Sequence, residues 1–232
     1  VAASSTRSPR ITRSRAVAWL DGRINYERIV PTAARGGSFN LGAMRRLLAE
    51  LGSPEKRFRV VHVAGTKGKG STVAMLSAVL TAAGHRVGRY MSPHVHALEE
   101  RIGIGDEPIS AADLGRAIAT VMPVVDALDA RAARAGGRGP TWFEVLTAAA
   151  FVHFARSGID LAVIETGLGG RLDATNVSRP VLSIITSIGL DHMRLLGSTV
   201  PMIAGEKAGI IKRGCPVISA AGSREADEVI AA

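Results

Sequence analysis

Residues 59–72, RVVHVAGTKGKGST, constrain the fold of this chain more than any other stretch. A short apolar, β-branched segment runs into a glycine-rich turn carrying two lysines, then into a helical pattern beginning at Ser71 and Thr72. Strand, glycine loop and helix in that order predict a phosphate cradle. Backbone N–H groups freed by the glycines and the positive end of the helix face anionic oxygens. Lys69 adds a point charge on the phosphates, and Ser71 or Thr72 a hydroxyl near a magnesium ion. The loop departs from the usual G-x-x-x-x-G-K-[ST] spacing, because Gly70 separates Lys69 from Ser71 and residue 63 is Val rather than Gly. A glycine turn without a ligand is the alternative, but such a loop is entropically costly to order without an anionic partner.

The pattern around the loop predicts an α/β chain. Ile11, Val17, Leu20 and Ile24 allow an amphipathic helix over 11–25, and Leu41, Met44, Leu47, Leu48 and Leu51 predict a second. After the loop, a helix over 73–83 ends at Gly84 and a strand over 86–90 returns at once. That βαβ unit is expected to set its two parallel strands side by side. Ile102 and Ile104 before Gly105 and Asp106 predict a hairpin, and Ser110 with Asp113 the start of a long helix to about Ala135. GGRGP (136–140) is a link, and a helix over 142–157 ends at Gly158. Strands over 161–164, 181–186 and 216–219 follow. GTKGKGS, MSPH, ETGLGG and SIGLDH then lie in loops after strands, where parallel sheets bind ligands.

Composition narrows the partners. The 232 residues carry a formal charge of +9, but Arg7, Arg10, Arg13 and Arg15 precede the first acid, Asp21, which leaves +5 on the body. The Ser/Arg-rich opening over 1–15 fits a disordered tail or the remnant of a mitochondrial or plastid transit peptide, on a protein otherwise cytoplasmic. With two Trp and two Tyr there is no aromatic platform for bases, so no specific nucleic acid is expected. No apolar run approaches bilayer length, so no membrane partner is expected either. The lone Cys215 excludes an internal disulfide and reads as a small apolar filler beside Pro216.

At the rim, Glu165 closes an apolar strand before GLGG, and His192 follows another beside Asp191. Glu165 could be a metal ligand, an N-cap or a solvated loop acid; a histidine ligand would be atypical for magnesium and points to a second ion of mixed ligation. Thr141 to Glu144 has capping-box spacing, Lys207 reads as a helix-surface lysine, and His94 and His96 as loop residues.

HVAGTKGKGST, GHRVGRYMSPHV, TWFEVLTAAAF, ETGLGGRLDATNV, and TSIGLDHMRLLG followed by EKAGIIKRG resemble, in order, motifs of the folylpolyglutamate synthase and dihydrofolate synthase family, relatives of the Mur ligases. The likeness runs from about Trp19 to Ile218, with Lys67 where bacterial members often carry Asn. It implies a P-loop NTPase-like, mostly parallel sheet with helices on both faces. It also implies an ATP-dependent amide ligase joining L-glutamate to dihydropteroate or a folate glutamyl tail through an acyl phosphate. By motif, Thr66, Lys67, Gly68, Lys69, Gly70 and Ser71 would bind ATP. Ser92 and Glu165 would hold one magnesium, Glu165 and His192 a second, and Lys207 would be carbamylated. Lys69, His192 and Lys207 are the candidate catalytic groups. Phe39, Asn40, Leu41, Thr141, Trp142, Phe143, Glu144, Leu172, Asp173 and Ala174 would line the pterin site, Asp173 being the best candidate for a polar contact. A monomer is expected. Residues 16–232 would form the ATP-binding domain, incomplete at its end and without the C-terminal Rossmann-like domain that completes the glutamate site. A catalytically silent nucleotide-binding fragment is the alternative from another class.

Overall fold

The computed structural model describes residues 11–28 and 40–232. Among them seven strands form one sheet: β1 (Arg59–Ala64), β2 (Val87–Tyr90), β3 (Ile102–Ile104), β4 (Glu107–Pro108), β5 (Leu161–Glu165), β6 (Leu182–Ile185) and β7 (Val217–Ser219). Their order is β4-β3-β2-β5-β1-β6-β7. β2, β5, β1, β6 and β7 are parallel, while β3 and β4 are antiparallel at one edge.

This order corrects one expectation. β1 and β2 are not neighbours, because β5 lies between them and pairs with both. The reason is burial: all five residues of β5, LAVIE, are covered. Such a strand needs protein on both faces and a partner on both edges, which only the sheet centre offers. The hairpin is as expected, with Gly105 in the left-handed region (φ 59°) at the two-residue turn.

Helices α1 (Arg13–Asp21), α2 (Gly42–Glu50), α3 (Lys69–Ala82), α4 (Ala111–Arg134), α5 (Trp142–Ser157), α6 (Met193–Leu196), α7 (Val200–Ala208) and α8 (Arg224–Ala231) cover the sheet. Strand alternation sends Val60 and Ile164 to the layer of α1, α2, α4 and α5, and Val61, Val63 and Val163 to α3, whose Val73, Leu76 and Leu80 cover them. A smaller cluster joins Ile185 and Ala64 to Ile203 and Ala204 of α7 and Ala226 of α8. Of the last three helices the sequence pattern anticipated only the helical setting of Lys207, in α7; α6 and α8 were not expected.

Two boundaries differ from expectation. α1 takes in Arg13 and Arg15, which the charge pattern assigned to a tail; Thr12 caps it and Arg13 reaches Glu99 at 2.8 Å. α3 begins at Lys69, so Gly70 and Ser71 are helical and Gly68 (φ 83°) is the residue that turns the chain into the helix. Residues 1–10 and 29–39, and with them the expected pterin-site residue Phe39, lie outside the described residues. No helix among the described residues is long and apolar enough to cross a membrane.

Candidate functional site

β1 connects through α3 toward β2, whereas its neighbour β6 connects toward β7 on the other side. Strands whose connections diverge in this way leave a crevice at their carboxyl ends. The glycine loop leaving β1 fills that position, and the loop after β6 holds it there. Thr66 N donates to Ser187 O at 2.7 Å, Thr66 Oγ1 and Gly189 exchange two 3.1 Å hydrogen bonds, and Thr186 Oγ1 donates to Lys67 O at 2.7 Å. Gly65 admits this contact: a Cβ there would stand 1.7 Å from Thr186 Oγ1.

With the loop pinned, α3 opens toward the crevice. The first intrahelical bond from this end is Thr72 N to Gly68 O at 2.9 Å, so the N–H groups of Lys69, Gly70 and Ser71 have no carbonyl of the helix to meet. Free N–H groups at a helix start are suited to anionic oxygens. Lys67 is exposed, and its backbone is tied to Ser187. A Cβ on Gly70 would lie in ordinary contact, 3.4 Å from Met91 Cε and 3.6 Å from Glu165 Oε2. The first turn of α3 therefore passes closely over the Glu165 carboxylate.

Glu165 is 4% exposed. Its Oε2 accepts from Ser92 N at 3.2 Å, and its Oε1 lies 3.8 Å from Lys69 Nζ, which also reaches Thr66 O at 3.4 Å. Burial raises the Glu165 pKa, offset in part by the Ser92 N–H and Lys69. A buried carboxylate with one hydrogen bond and one distant ammonium has oxygen capacity left for a hard cation, and Ser92, whose N–H it accepts from, carries a hydroxyl as a second oxygen donor. The residues present thus fit one magnesium ion.

Lys207 departs from the helix-surface reading. It is 4% exposed and donates from Nζ to Gly65 O at 2.7 Å, under the cradle. Burial, with Lys69 adding repulsion, lowers its pKa to about 8, against smaller opposing effects of Asp191 and Asp173. An amine this close to neutrality retains a nucleophilic fraction near physiological pH. His192 is placed differently. It caps α6 from a left-handed conformation (φ 49°), and its side chain is 58% exposed with Asp191 Oδ2 at 3.8 Å. Among the described residues it makes no hydrogen bond or ion pair with Glu165, and no group of three or more His, Cys, Asp or Glu is placed to hold a metal.

The stretches expected to line a pterin converge in part. Thr141 and Glu144 form the capping box, with Glu144 Oε2 accepting from Thr141 N at 2.7 Å. Trp142 donates to Asp21 at 3.0 Å, and the Phe143 ring lies over Gly167, where a Cβ would be 2.7 Å from Cζ. Asp173 meets the same glycine, accepting at 2.9 Å from both Gly167 N and Leu168 N. Its second oxygen accepts from Thr175 N and Thr175 Oγ1, and Thr175 continues to the buried His62 Nε2 at 2.8 Å. Asp173 therefore organises the loop after β5, and burial raises its pKa despite these donors. Desolvation pushes His62 down to about 3, so it stays neutral. Asn40 accepts from Gly42 N, Leu41 and Leu172 line one concavity, and Ala174 is buried behind it.

Sequence reasoning missed Arg101. It is 1% exposed, gives a bidentate pair to Glu27 (2.6 and 2.8 Å), donates to His94 Nδ1 at 2.8 Å and stacks over Trp142 at 4.9 Å. Its carbonyl accepts from Met91 N at 2.9 Å. One guanidinium thus fixes the SPH loop against the start of α5. An arginine before a predicted hairpin carries no sequence signal of burial.

No family model matches the chain. It is 46% identical over 213 residues to the dihydrofolate synthase/folylpolyglutamate synthase of Bacillus subtilis, covering 91% of this chain and 46% of that protein. It is 43% identical over 197 residues to the protein of the same name from Mycobacterium tuberculosis, covering 84% and 39%. Among solved structures, folylpolyglutamate synthase from Thermotoga maritima superposes with a TM-score of 0.82 at 36% identity, covering 94% of this chain and 46% of that one. A folylpolyglutamate synthase complex with AMPPCP and folate gives 0.84 at 39%, covering 95% and 51%.

Proposed function

This chain is a homologue of the folylpolyglutamate synthase/dihydrofolate synthase family, matching its N-terminal part and spanning about half the length of the curated relatives it matches, and from that premise we propose that it supplies the ATP side of a glutamate ligase. The acceptor is the carboxylate of dihydropteroate or of a folate glutamyl tail. The observation that carries the reading is the grouping of Lys69, Glu165 and Ser92 beside the open first turn of α3, with Lys207 beneath it.

In this reading an oxygen of the acceptor carboxylate attacks the γ-phosphorus of ATP and ADP departs. The amine of L-glutamate then attacks the acyl carbon, phosphate leaves, and the amine loses a proton. The N–H groups of residues 69–71 and the Lys69 ammonium take up the growing negative charge on the phosphoryl group. Ser92 and Glu165 would hold one magnesium, and Glu165 with His192 a second, once His192 moves inward. When bound, the ions offset phosphate charge. Lys207 is the site for a carbamate, its amine adding to carbon dioxide with release of a proton, which turns a cation into an anion beside the cradle. Phe143, Asp173, Leu41 and Leu172 would bound the pterin, with Asp173 acting through the loop it shapes. We further propose that residues 16–232 act as a monomeric ATP-binding unit.

ADP release tests the proposal, measured with ATP, magnesium, L-glutamate and either dihydropteroate or tetrahydrofolate. Because these residues supply the ATP side and little of the glutamate site, release that needs the acceptor but falls short of full glutamate-dependent turnover is expected, and Lys69→Met is expected to lower it by on the order of 100-fold or more. Release indifferent to the acceptor would overturn the ligase reading, and the preferred acceptor separates the two activities.

A further inference from the structure

His62 lies in β1, the strand that runs into the phosphate loop, and is fully buried. Desolvation keeps its ring neutral, so it carries one N–H, on Nδ1 or on Nε2. The network around Asp173 decides which. Asp173 Oδ2 accepts from Gly167 N and Leu168 N, and Oδ1 from Thr175 N and Thr175 Oγ1, so each oxygen already takes two donors. Burial raises the Asp173 pKa, but a protonated carboxyl would have to give up one of these donors. Thr175 has a single hydroxyl proton, and the carboxylate takes it. The 2.8 Å contact between Thr175 Oγ1 and His62 Nε2 is then a hydrogen bond only if Nε2 brings the proton. The other tautomer fails twice. Thr175 would face two acceptors with one proton, and Nδ1, buried and without a partner among the described residues, would carry an orphan N–H.

We propose that His62 is a positioning residue: as the Nε2–H tautomer it donates to Thr175 and so holds, through Asp173, the loop after β5 against the strand that carries the phosphate loop. Backbone pairing alone does not reach that far. The last backbone bond between the two strands is Thr166 N to Val63 O, and beyond it Gly167 N and Leu168 N are held by Asp173. What the loop positions rests on the ligase reading above: Glu165 opens it, and Leu172 and Asp173 end it on the acceptor side. The phosphate loop has its own ties, from Thr66 and Lys67 to the β6 side. Loss of the His62 donor should therefore act on the acceptor and spare the nucleotide.

The test first reads the imidazole nitrogen NMR shifts of the wild-type protein, with the His62 signals assigned by their loss in H62Q. An Nε2–H ring with unprotonated Nδ1 is expected; the Nδ1–H tautomer would overturn the proposal and leave the ligase reading standing. Affinities for dihydropteroate and for ATP with magnesium are then compared in H62L, which has no donor, and H62Q, which keeps an N–H near the Nε2 position. H62L is expected to weaken dihydropteroate about tenfold or more with ATP within about twofold, and H62Q to return dihydropteroate to within about threefold of wild type. Equal loss of both ligands in H62L, or no recovery in H62Q, would make His62 a merely structural residue and sink the proposal. If H62L does not fold, T175V, which removes the hydroxyl, must show the same split between the two ligands; undiminished dihydropteroate affinity there counts against the relay. Wild-type protein that binds ATP but no acceptor would refute the ligase reading instead. His62 is then judged by its tautomer and by amide hydrogen exchange at Gly167 and Leu168, expected to quicken about tenfold in H62L and not in H62Q.

Discussion

The two sides of the glycine loop are built to different standards. On the β5 side, Glu165, Asp173, Thr175 and His62 are buried, and Arg101 locks the SPH loop against α5. On the β6 side, backbone bonds from Ser187 and Gly189 hold the loop, but Asp191 and His192 beyond them stand half in solvent. The first side costs desolvation and gains fixed geometry; the second leaves its polar side chains solvated. The crevice is therefore flanked by buried, hydrogen-bonded groups on one side and by solvent-exposed ones on the other.

The most damaging challenge to this contrast is Gly65→Ala. The added methyl would collide with Thr186, which ties the loop to the β6 side, in a backbone conformation (φ 155°) that disfavours a side chain. A loss of about 3 kcal/mol is expected in urea unfolding, together with loss of nucleotide binding. Wild-type stability and affinity would mean that the loop is not pinned from β6.

Lys207 sharpens the contrast through pH. Its folded pKa of about 8 lies below the roughly 10.4 of an unfolded lysine, so between these values the unfolded state binds more protons and stability rises with pH. The penalty of burying the cation is full below pH 8 and fades toward 10.4, amounting to on the order of 3 kcal/mol. In buffer free of carbon dioxide, Lys207→Met should remove this rise between pH 8 and 10 from the unfolding curve. Identical slopes in the two proteins would show that the amine is not desolvated.

The smallest expected change in stability belongs to His192→Asn, which keeps a residue tolerant of the left-handed conformation. The unfolding free energy should stay within about 0.5 kcal/mol while acceptor-dependent ADP release falls. A destabilisation above about 1 kcal/mol would place His192 in a fixed network and erase the difference between the flanks.

Much of this was legible in the chain. The strand into GTKGKGS, the capping signals at Ser110 and Thr141 and the stop at Gly158 are local, and the structure keeps all of them. Lys207 was misplaced because EKAG reads the same whether its helix faces water or a loop 142 residues away. Arg101 was invisible for a related reason: its partners, Glu27, His94 and Trp142, come from three separate segments.

The sequence by itself determined which segments form strands, which loops carry the glycines, lysines and carboxylates, and the order in which they appear, because turn chemistry and periodicity act over a few residues. Only the tertiary structure decided that β5 enters between β1 and β2, that Lys69 faces Glu165 and that Lys207 lies under Gly65. Strand order and burial follow from filling both faces of a sheet at once, and that is a property of the whole chain.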